Sequence, residues 1–201
     1  MKRRTYISIS GCLALLLTSA TVWAQTIAKD DLAAALRDGG YVIVMRHASS
    51  PREAPDAATA DPDNANRERQ LDDMGRRDAT AMGQALRRLA IPVAEVLSSP
   101  TYRAIETAHL MGFADIRVVD ELGNEGMRAS GEAYTSWLRA NVAMPPAAGN
   151  RLLITHGPNV AGAFPEDAGG MEEGEALIFH PTGDGAAVMV ASVKITDWPN
   201  L

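Results

Sequence analysis

The chain has 201 residues, a formal net charge of −6 and a single cysteine. A hydrophobic fraction of 46% and a charged fraction of 22% are typical of a folded protein and argue against disorder or a multi-span membrane protein. Acidic side chains outnumber basic ones by 25 to 19, so the basic surface that binds nucleic acid is missing and we expect no nucleic-acid partner. One cysteine excludes an internal disulfide framework and a cysteine-rich metal centre.

The amino-terminal segment has the pattern of an export signal. Three cations lie within the first four residues, an apolar stretch covers about residues 7–17, and Val22 and Ala24 stand where a signal peptidase reads the chain. The apolar stretch is shorter than the roughly 20 residues of a membrane-spanning helix, so we expect cleavage after Ala24 and no stable membrane anchor. The predicted organisation is a signal peptide over 1–24 and a single domain over 25–201. The mature chain would carry no cysteine and a net charge near −9, since the signal removes three cations and no acids, and would be periplasmic or secreted.

Short apolar runs alternate with segments of helical periodicity through the rest of the chain. This alternation predicts an α/β fold, a three-layer α/β/α sandwich with a mostly parallel central sheet. Helices are expected over residues 30–37, 75–89, 101–111 and 131–141. Strands are expected over residues 41–45, 93–97, 116–119, 151–155, 175–179 and 186–195.

Residues 49–70 interrupt this alternation. They are rich in Pro, Ala, Asp, Asn and Arg and show no clear period. Loops of this length in compact domains are usually functional lids or disordered segments. We expect this loop to shape the selectivity of a neighbouring site, while the sequence leaves open whether it is an ordered lid.

Two histidines directly follow predicted strands. His47 follows the first strand, with Arg46 beside it, and His156 follows the strand at 151–155. Ligands of open α/β sheets bind at the carboxyl ends of the strands, so the two imidazoles are expected to share one crevice. Arg103 lies in the first turn of a helix, where backbone N–H groups and a guanidinium both favour phosphate oxygens. The sequence therefore predicts a phosphate site at this edge.

Four segments together resemble the histidine phosphatase superfamily, in the branch that includes the phosphoglycerate mutases and small bacterial phosphatases. In chain order they are Val44–Ala48, Leu71–Arg76, Ser98–Ala108 and Thr155–Gly157. The resemblance spans roughly residue 41 to the carboxyl terminus and implies a phosphoglycerate mutase-like fold. It also implies that His47 becomes phosphorylated. Arg46, Arg103 and His156 would bind the transferred phosphoryl group.

The chemistry of these residue types fits those roles. A histidine nucleophile must be neutral, and neighbouring guanidiniums disfavour the charged imidazolium. Donors fixed around the equatorial phosphoryl oxygens stabilise the transition state, and His156 can contribute one such donor. This scheme requires neither a metal ion nor a cofactor.

Two features depart from the family pattern. Ala48 stands where the family usually has a glycine after the Arg-His pair, which raises the question of whether the backbone can still approach a substrate closely. The proton donor, typically a glutamate after the third strand, could be Asp120, Glu121 or Glu125, and we favour Glu125. Such an acid would protonate the leaving oxygen and then accept a proton from the water that cleaves the phosphohistidine.

The sequence therefore predicts an exported phosphomonoesterase, a phosphoric monoester hydrolase of the histidine phosphatase type, that acts on a small phosphorylated substrate. Export and the resemblance to secreted members of the family make an envelope phosphate, such as one on a lipopolysaccharide core sugar, a candidate substrate. Two alternatives remain, a non-catalytic phosphate-binding module and a metallohydrolase that uses His47, His156 and His180 with nearby acids. Oligomeric state cannot be read from the sequence.

Overall fold

The computed structural model describes residues 26–51, 69–123 and 131–201. The predicted signal peptide, most of the 49–70 loop and Glu125 lie outside these residues. The α-helices are α1 (Lys29–Asp38), α2 (Asp73–Arg88), α3 (Tyr102–Leu110), α4 (Glu132–Ala143) and α5 (Gly157–Ala163), and 3-10 helices cover Asp120–Leu122 and Ile195–Asn200. The strands are β1 (Val42–Arg46), β2 (Val93–Ser98), β3 (Arg117–Val118), β4 (Asn150–Thr155), β5 (Ala176–Pro181) and β6 (Ala187–Val193). Within the described ranges, no helix is long and apolar enough to cross a membrane.

The six strands form one sheet in the order β3-β2-β4-β1-β5-β6. The neighbours β3, β2, β4 and β1 run parallel, β5 is antiparallel to β1, and β6 is antiparallel to β5 at the edge of the sheet. The register places Arg46 of β1 opposite Thr155 of β4, so the carboxyl ends of these two strands lie side by side. The predicted α/β class with a mostly parallel sheet is confirmed.

Apolar side chains cover both faces of the sheet. On one face, α1, α2 and α3 pack in a cluster that contains Ile43 and Met45 of β1. On the other face, α4 and α5 pack in a cluster that contains Val42 and Val44. Successive side chains of a strand point to opposite faces, so a strand covered on both faces must be apolar throughout. This arrangement is the predicted three-layer sandwich.

The clearest differences between the structure and the sequence prediction are in α5, β6 and β3. The short helix α5 was missed because seven residues with two glycines carry little helical periodicity. The last strand ends at Val193 instead of residue 195, and the chain then turns into a 3-10 helix that buries Trp198. The edge strand β3 covers two exposed residues instead of 116–119.

The two ends of the 49–70 loop are tied together at the start of α2. Asp72 caps the helix by accepting a hydrogen bond from the Gly75 N–H at 2.7 Å, and the Ser49 hydroxyl donates to the same carboxylate at 2.8 Å. Arg69 donates from Nε to the Ser50 hydroxyl at 2.8 Å. A side chain at Gly75 would place its Cβ 2.2 Å from the Ser49 carbonyl oxygen, so the close approach needs glycine. These contacts bring Arg69 to the carboxyl end of β1.

Candidate functional site

His47 and His156 lie next to each other at the carboxyl edge of the sheet. The His47 backbone N–H donates to the carbonyl oxygen of Thr155 at 3.0 Å. The centroids of the two imidazole rings are 5.2 Å apart, with an angle of 64° between the ring planes. Each histidine is 2% exposed. The structure thus brings together two side chains that 109 positions separate in the sequence.

Arg103 joins the two imidazoles. It is the second residue of α3 and is only 6% exposed. Its Nε donates to His47 Nε2 at 3.1 Å, and its Nη2 lies 3.2 Å from His156 Nδ1. A guanidinium has donors and no acceptor, so the two ring nitrogens that face it must be acceptors.

The tautomer of His47 is fixed by its own backbone. Nδ1 lies 2.8 Å from the carbonyl oxygen of Ala48. A carbonyl oxygen can only accept, so Nδ1 carries the proton and Nε2 carries the lone pair. The network therefore directs the lone pair of His47 Nε2 towards Arg103.

The surroundings of His47 keep its imidazole neutral. They lower its pKa from 6.5 to about 3, with burial as the largest cause and the positive charge of Arg103 as the next. The hydrogen bond to the Ala48 carbonyl raises the pKa, while the charges of Arg69 and Arg46 lower it. A neutral ring at physiological pH is the form that can act as a nucleophile.

Two hydroxyl groups hold His156 from the side opposite Arg103. The Ser99 hydroxyl lies 2.9 Å from Nε2, and the Thr101 hydroxyl lies 3.4 Å from the same nitrogen. Burial is the largest cause that lowers the pKa of His156 well below its usual value, so the ring is neutral and carries one proton. With Nδ1 accepting from Arg103, that proton is on Nε2 and points to Ser99. Because a hydroxyl both donates and accepts, Ser99 can also support the tautomer in which Nδ1 donates to a phosphoryl oxygen.

Arg46 and Arg69 supply two further guanidiniums beside the histidines. Nη2 of Arg69 lies 3.4 Å from His47 Nε2. Arg46 donates from Nη1 to the Met171 carbonyl and from Nη2 to Glu173 Oε1, both at 2.9 Å. Three guanidiniums therefore surround the predicted nucleophile and form a positively charged site suited to a phosphoryl dianion.

Arg69 and Glu173 belong to the site but were not predicted from the sequence. Arg69 lies in the aperiodic loop, where the one available signal is its position just before the segment 71–76 that carries the family resemblance. Glu173 is one of several acids between α5 and β5, and nothing in the sequence distinguishes it from the others. Both side chains reach the site through contacts between segments that are distant in the chain.

Ala48 is compatible with the local backbone. It is fully buried, and its N–H donates to the Thr107 hydroxyl at 3.2 Å. Among the described residues, Ala90 is the only non-glycine residue with a positive φ, so the conformation of Ala48 does not require glycine. The backbone N–H at this position anchors α3 to the end of β1.

The candidates for the proton donor follow β3. Asp120 is exposed and Glu121 is half-buried in the 3-10 helix, while Glu125 lies outside the described residues. The described chain just before residue 124 is anchored near His156, because Asn159 Nδ2 donates to the Gly123 carbonyl at 2.8 Å. The choice among the three acids stays a prediction.

The metallohydrolase alternative is wrong in its choice of ligands. His180 packs against Tyr41 at the amino end of β1, with ring centroids 5.1 Å apart. His47 follows the carboxyl end of the same strand, and six residues of extended chain span roughly 20 Å. In residues 26–51, 69–123 and 131–201, no group of three or more His, Cys, Asp or Glu could hold a metal ion.

The fold and the buried cluster of histidines and arginines define an α/β protein of the phosphoglycerate mutase-like type. The family model of the histidine phosphatase superfamily (branch 1) matches residues 42–140, a range that contains His47, Arg69 and Arg103. The chain belongs to this superfamily, whose members are phosphatases.

Solved structures have the same fold. The protein histidine phosphatase SixA complexed with tungstate is 21% identical, with a TM-score of 0.57 over 78% of this chain and 98% of that one. Proteins assigned as the phosphohistidine phosphatase SixA from Nakamurella multipartitia and Agrobacterium tumefaciens are 22% and 20% identical, with TM-scores of 0.55 and 0.52. These matches cover 77% of this chain in each case and 95% and 97% of the other chains. No curated protein matches the chain in sequence. Likeness at this identity establishes the fold alone.

The low pKa of His47 predicts a loss of stability in acid. Between pH 6.5 and about 3 the unfolded chain binds a proton that the folded chain does not, so the free energy of unfolding falls as pH decreases through this range. At pH 5 the loss from this one residue is about 2 kcal/mol. His47→Gln should reduce the difference in unfolding free energy between pH 7 and pH 5 by about this amount. Urea denaturation at the two pH values measures this difference, and His109→Gln, on the exposed side of α3, is the control. If the unfolding free energies of wild type and His47→Gln decrease equally in acid, a buried neutral ring at position 47 is contradicted.

The contact between Ser99 and His156 predicts a change of tautomer in Ser99→Ala. This variant leaves Nε2 with only the longer contact to Thr101, so we expect the Nε2-protonated form to lose population. The ¹⁵N chemical shifts of His156 in histidine-labelled protein report this population. Ser98→Ala is the matched control, because Ser98 is equally buried and its hydroxyl donates to the Ser99 carbonyl at 3.0 Å. A His156 spectrum that changes as much in Ser98→Ala as in Ser99→Ala would refute the assignment.

Proposed function

We propose that the protein is an exported phosphomonoesterase that forms a phosphohistidine intermediate on His47. The observation that carries this proposal is the buried contact in which the lone pair of His47 Nε2 faces the guanidinium of Arg103 at 3.1 Å. It supports the proposal because a neutral imidazole that can attack phosphorus lies directly beside a guanidinium that can bind phosphate oxygens. Membership of a family of phosphatases supports the same reaction class.

The reaction begins with attack of His47 Nε2 on the phosphorus atom. The new P–N bond forms as the P–O bond to the leaving group breaks, and the leaving oxygen takes a proton from an acid. In the second step, a water molecule attacks phosphorus and gives its proton to the conjugate base of that acid. The P–N bond breaks, inorganic phosphate forms and His47 returns to its neutral state.

The arginines stabilise charge on the transferred group. Arg103 covers the lone pair of His47 Nε2, so it must turn towards the phosphoryl oxygens as the nucleophile attacks. Arg46, Arg69 and His156 surround the same space and supply further donors. In phosphoryl transfer, such positioned donors around the equatorial oxygens account for most of the catalysis.

Glu125 is our candidate for the proton donor. Support comes from the chain just before it, since the Gly123 carbonyl accepts a hydrogen bond from Asn159, three residues after His156. Glu121 and Asp120, in the 3-10 helix after β3, are the alternatives.

Export to the periplasm or the exterior is part of the proposal and rests on the amino-terminal pattern of charges and apolar residues. We expect the mature protein to begin at Gln25, and mass spectrometry of the protein from the cell-envelope fraction measures its amino terminus. Recovery of the chain with residues 1–24 attached in the cytoplasmic fraction would contradict export.

The substrate that we propose is a small phosphorylated molecule of the cell envelope, such as a lipopolysaccharide core sugar phosphate. With a net charge near −9 the mature chain repels polyanions as a whole, while the arginines of the site attract a phosphate locally. Screening over roughly 8 Å at physiological salt lets the local charge act separately from the distant acids. This charge distribution favours a small substrate over a nucleic acid.

Trapping of the phosphoenzyme tests the reaction. We expect purified protein to release phosphate from an aryl phosphate and to form a radiolabelled adduct that is acid-labile and base-stable, as a P–N bond requires. His47→Ala should form no adduct, while His109→Ala controls for loss of an exposed histidine.

The substrate range is measured in the same assay. We compare kcat/KM for the aryl phosphate with the values for a lipopolysaccharide core sugar phosphate and a phosphohistidine peptide. The peptide is included because the structurally similar protein SixA is a protein histidine phosphatase. An adduct that persists in His47→Ala would refute the nucleophile. Binding of inorganic phosphate without any turnover would favour the non-catalytic phosphate-binding module.

A further inference from the structure

The loop between α5 and β5 places a carboxylate among the arginines of the site. Glu173 Oε1 accepts from Arg46 Nη2 at 2.9 Å and lies 3.6 Å from Arg69 Nη2. Its second oxygen accepts from the Ser50 backbone N–H at 3.1 Å. The side chain is 22% exposed, so it lines the open side of the cluster. One carboxylate therefore contacts the end of β1 and both ends of the 49–70 loop.

The backbone around Glu173 is fixed to the same strand end. Gly174 donates its N–H to the His47 carbonyl at 2.9 Å, and Arg46 donates its N–H to the Glu175 carbonyl at 3.0 Å. Gly174 has a φ of 78°, a conformation that favours glycine, and a Cβ there would lie 2.8 Å from Ile195. The position of the carboxylate is thus set by the chain on both sides of it.

We propose that Glu173 is a positioning residue that holds Arg46 and Arg69 in place for the phosphoryl group and limits the affinity of the site for phosphate. This inference rests on the proposed function, because it assigns Glu173 a role in the same reaction. Both carboxylate oxygens accept hydrogen bonds in this arrangement, so the geometry assigns Glu173 to the arginines and not to proton donation.

The contacts of Glu173 require a carboxylate. Its partners on both oxygens are donors, the guanidinium of Arg46 and the N–H of Ser50. A glutamine has one oxygen and one NH2 group, so it would turn a donor towards one of these donors. An aspartate is shorter by one methylene group and cannot reach both partners from the same backbone.

The negative charge of Glu173 also opposes a bound phosphate. Guanidiniums that bind the substrate and the transition state equally tightly lower KM without increasing kcat. A fixed carboxylate beside Arg46 and Arg69 weakens this uniform binding and keeps the donors at defined positions. Loss of Glu173 should therefore tighten phosphate binding and at the same time slow turnover.

The test compares Glu173→Gln and Glu173→Ala with wild type in aryl phosphate hydrolysis. We expect kcat to fall by about tenfold and both KM and the inhibition constant of inorganic phosphate to fall by roughly fivefold. Glu172→Gln is the matched control, since it removes the same charge from the adjacent residue, whose carboxylate pairs with the exposed Lys194 at 2.7 Å. This control should leave all three constants close to those of wild type.

Several outcomes would overturn the inference. One is that kcat, KM and the inhibition constant of phosphate are unchanged in Glu173→Gln. Another is that Glu172→Gln changes these constants as much as Glu173→Gln does. A third is that Glu173→Gln binds phosphate more weakly than wild type. A loss of kcat that is much larger for alkyl than for aryl phosphates would also overturn it, because it would identify Glu173 as the proton donor. Urea denaturation of each variant separates these effects from loss of folding, and Glu173→Gln keeps the side-chain volume if the alanine variant is unstable.

Calorimetry with inorganic phosphate separates this inference from the proposed function, because it needs no turnover. If Glu173→Gln binds inorganic phosphate more tightly than wild type and Glu172→Gln do, the charge role of Glu173 is supported. This holds even if no substrate is hydrolysed, and in that case only the proposed function fails. If wild type forms the phosphohistidine adduct and Glu173→Gln behaves like wild type in both assays, the inference alone fails.

Discussion

The contact between His47 and Arg103 is the constraint on which the site depends. A buried guanidinium can lie 3.1 Å from an imidazole nitrogen only when that nitrogen carries a lone pair. The carbonyl of Ala48 meets this condition by holding the proton on the other nitrogen of the ring. Burial and the neighbouring positive charges then keep the ring from taking up a second proton. The same arrangement therefore supplies what the proposed reaction needs, a neutral imidazole with a free lone pair and a guanidinium beside it.

The sheet order explains how three distant segments meet at this contact. The strands β2, β4 and β1 are neighbours, so their carboxyl ends form a continuous edge. His47 and His156 leave β1 and β4 side by side, because Arg46 pairs with Thr155 in the register. The chain leaves β2 and enters α3, which brings Arg103 to the same edge from the other side of β4. A register shift of one residue between β1 and β4 would displace the two imidazoles from each other along the strand direction.

The rule that ligands bind at the carboxyl ends of parallel strands predicted the site residues that the sheet itself positions. His47, His156 and Arg103 follow parallel strands, and apolar runs mark those strands in the sequence. The same rule fails for His180, because β5 is antiparallel and its carboxyl end lies at the opposite edge. Arg69 and Glu173 could not be found in this way, since they lie in loops and reach the site through hydrogen bonds to residues such as Ser50.

The charges gathered at the site also explain why an acidic side chain belongs there. Arg46, Arg69 and Arg103 contribute three positive charges while both histidines remain neutral. A phosphoryl dianion would meet an excess of positive charge, and the product phosphate would leave slowly from such a site. With the carboxylate of Glu173 included, the net charge of the protein groups is equal and opposite to that of the dianion. Because each of these charges comes from a different segment of the chain, the balance exists only in the folded protein.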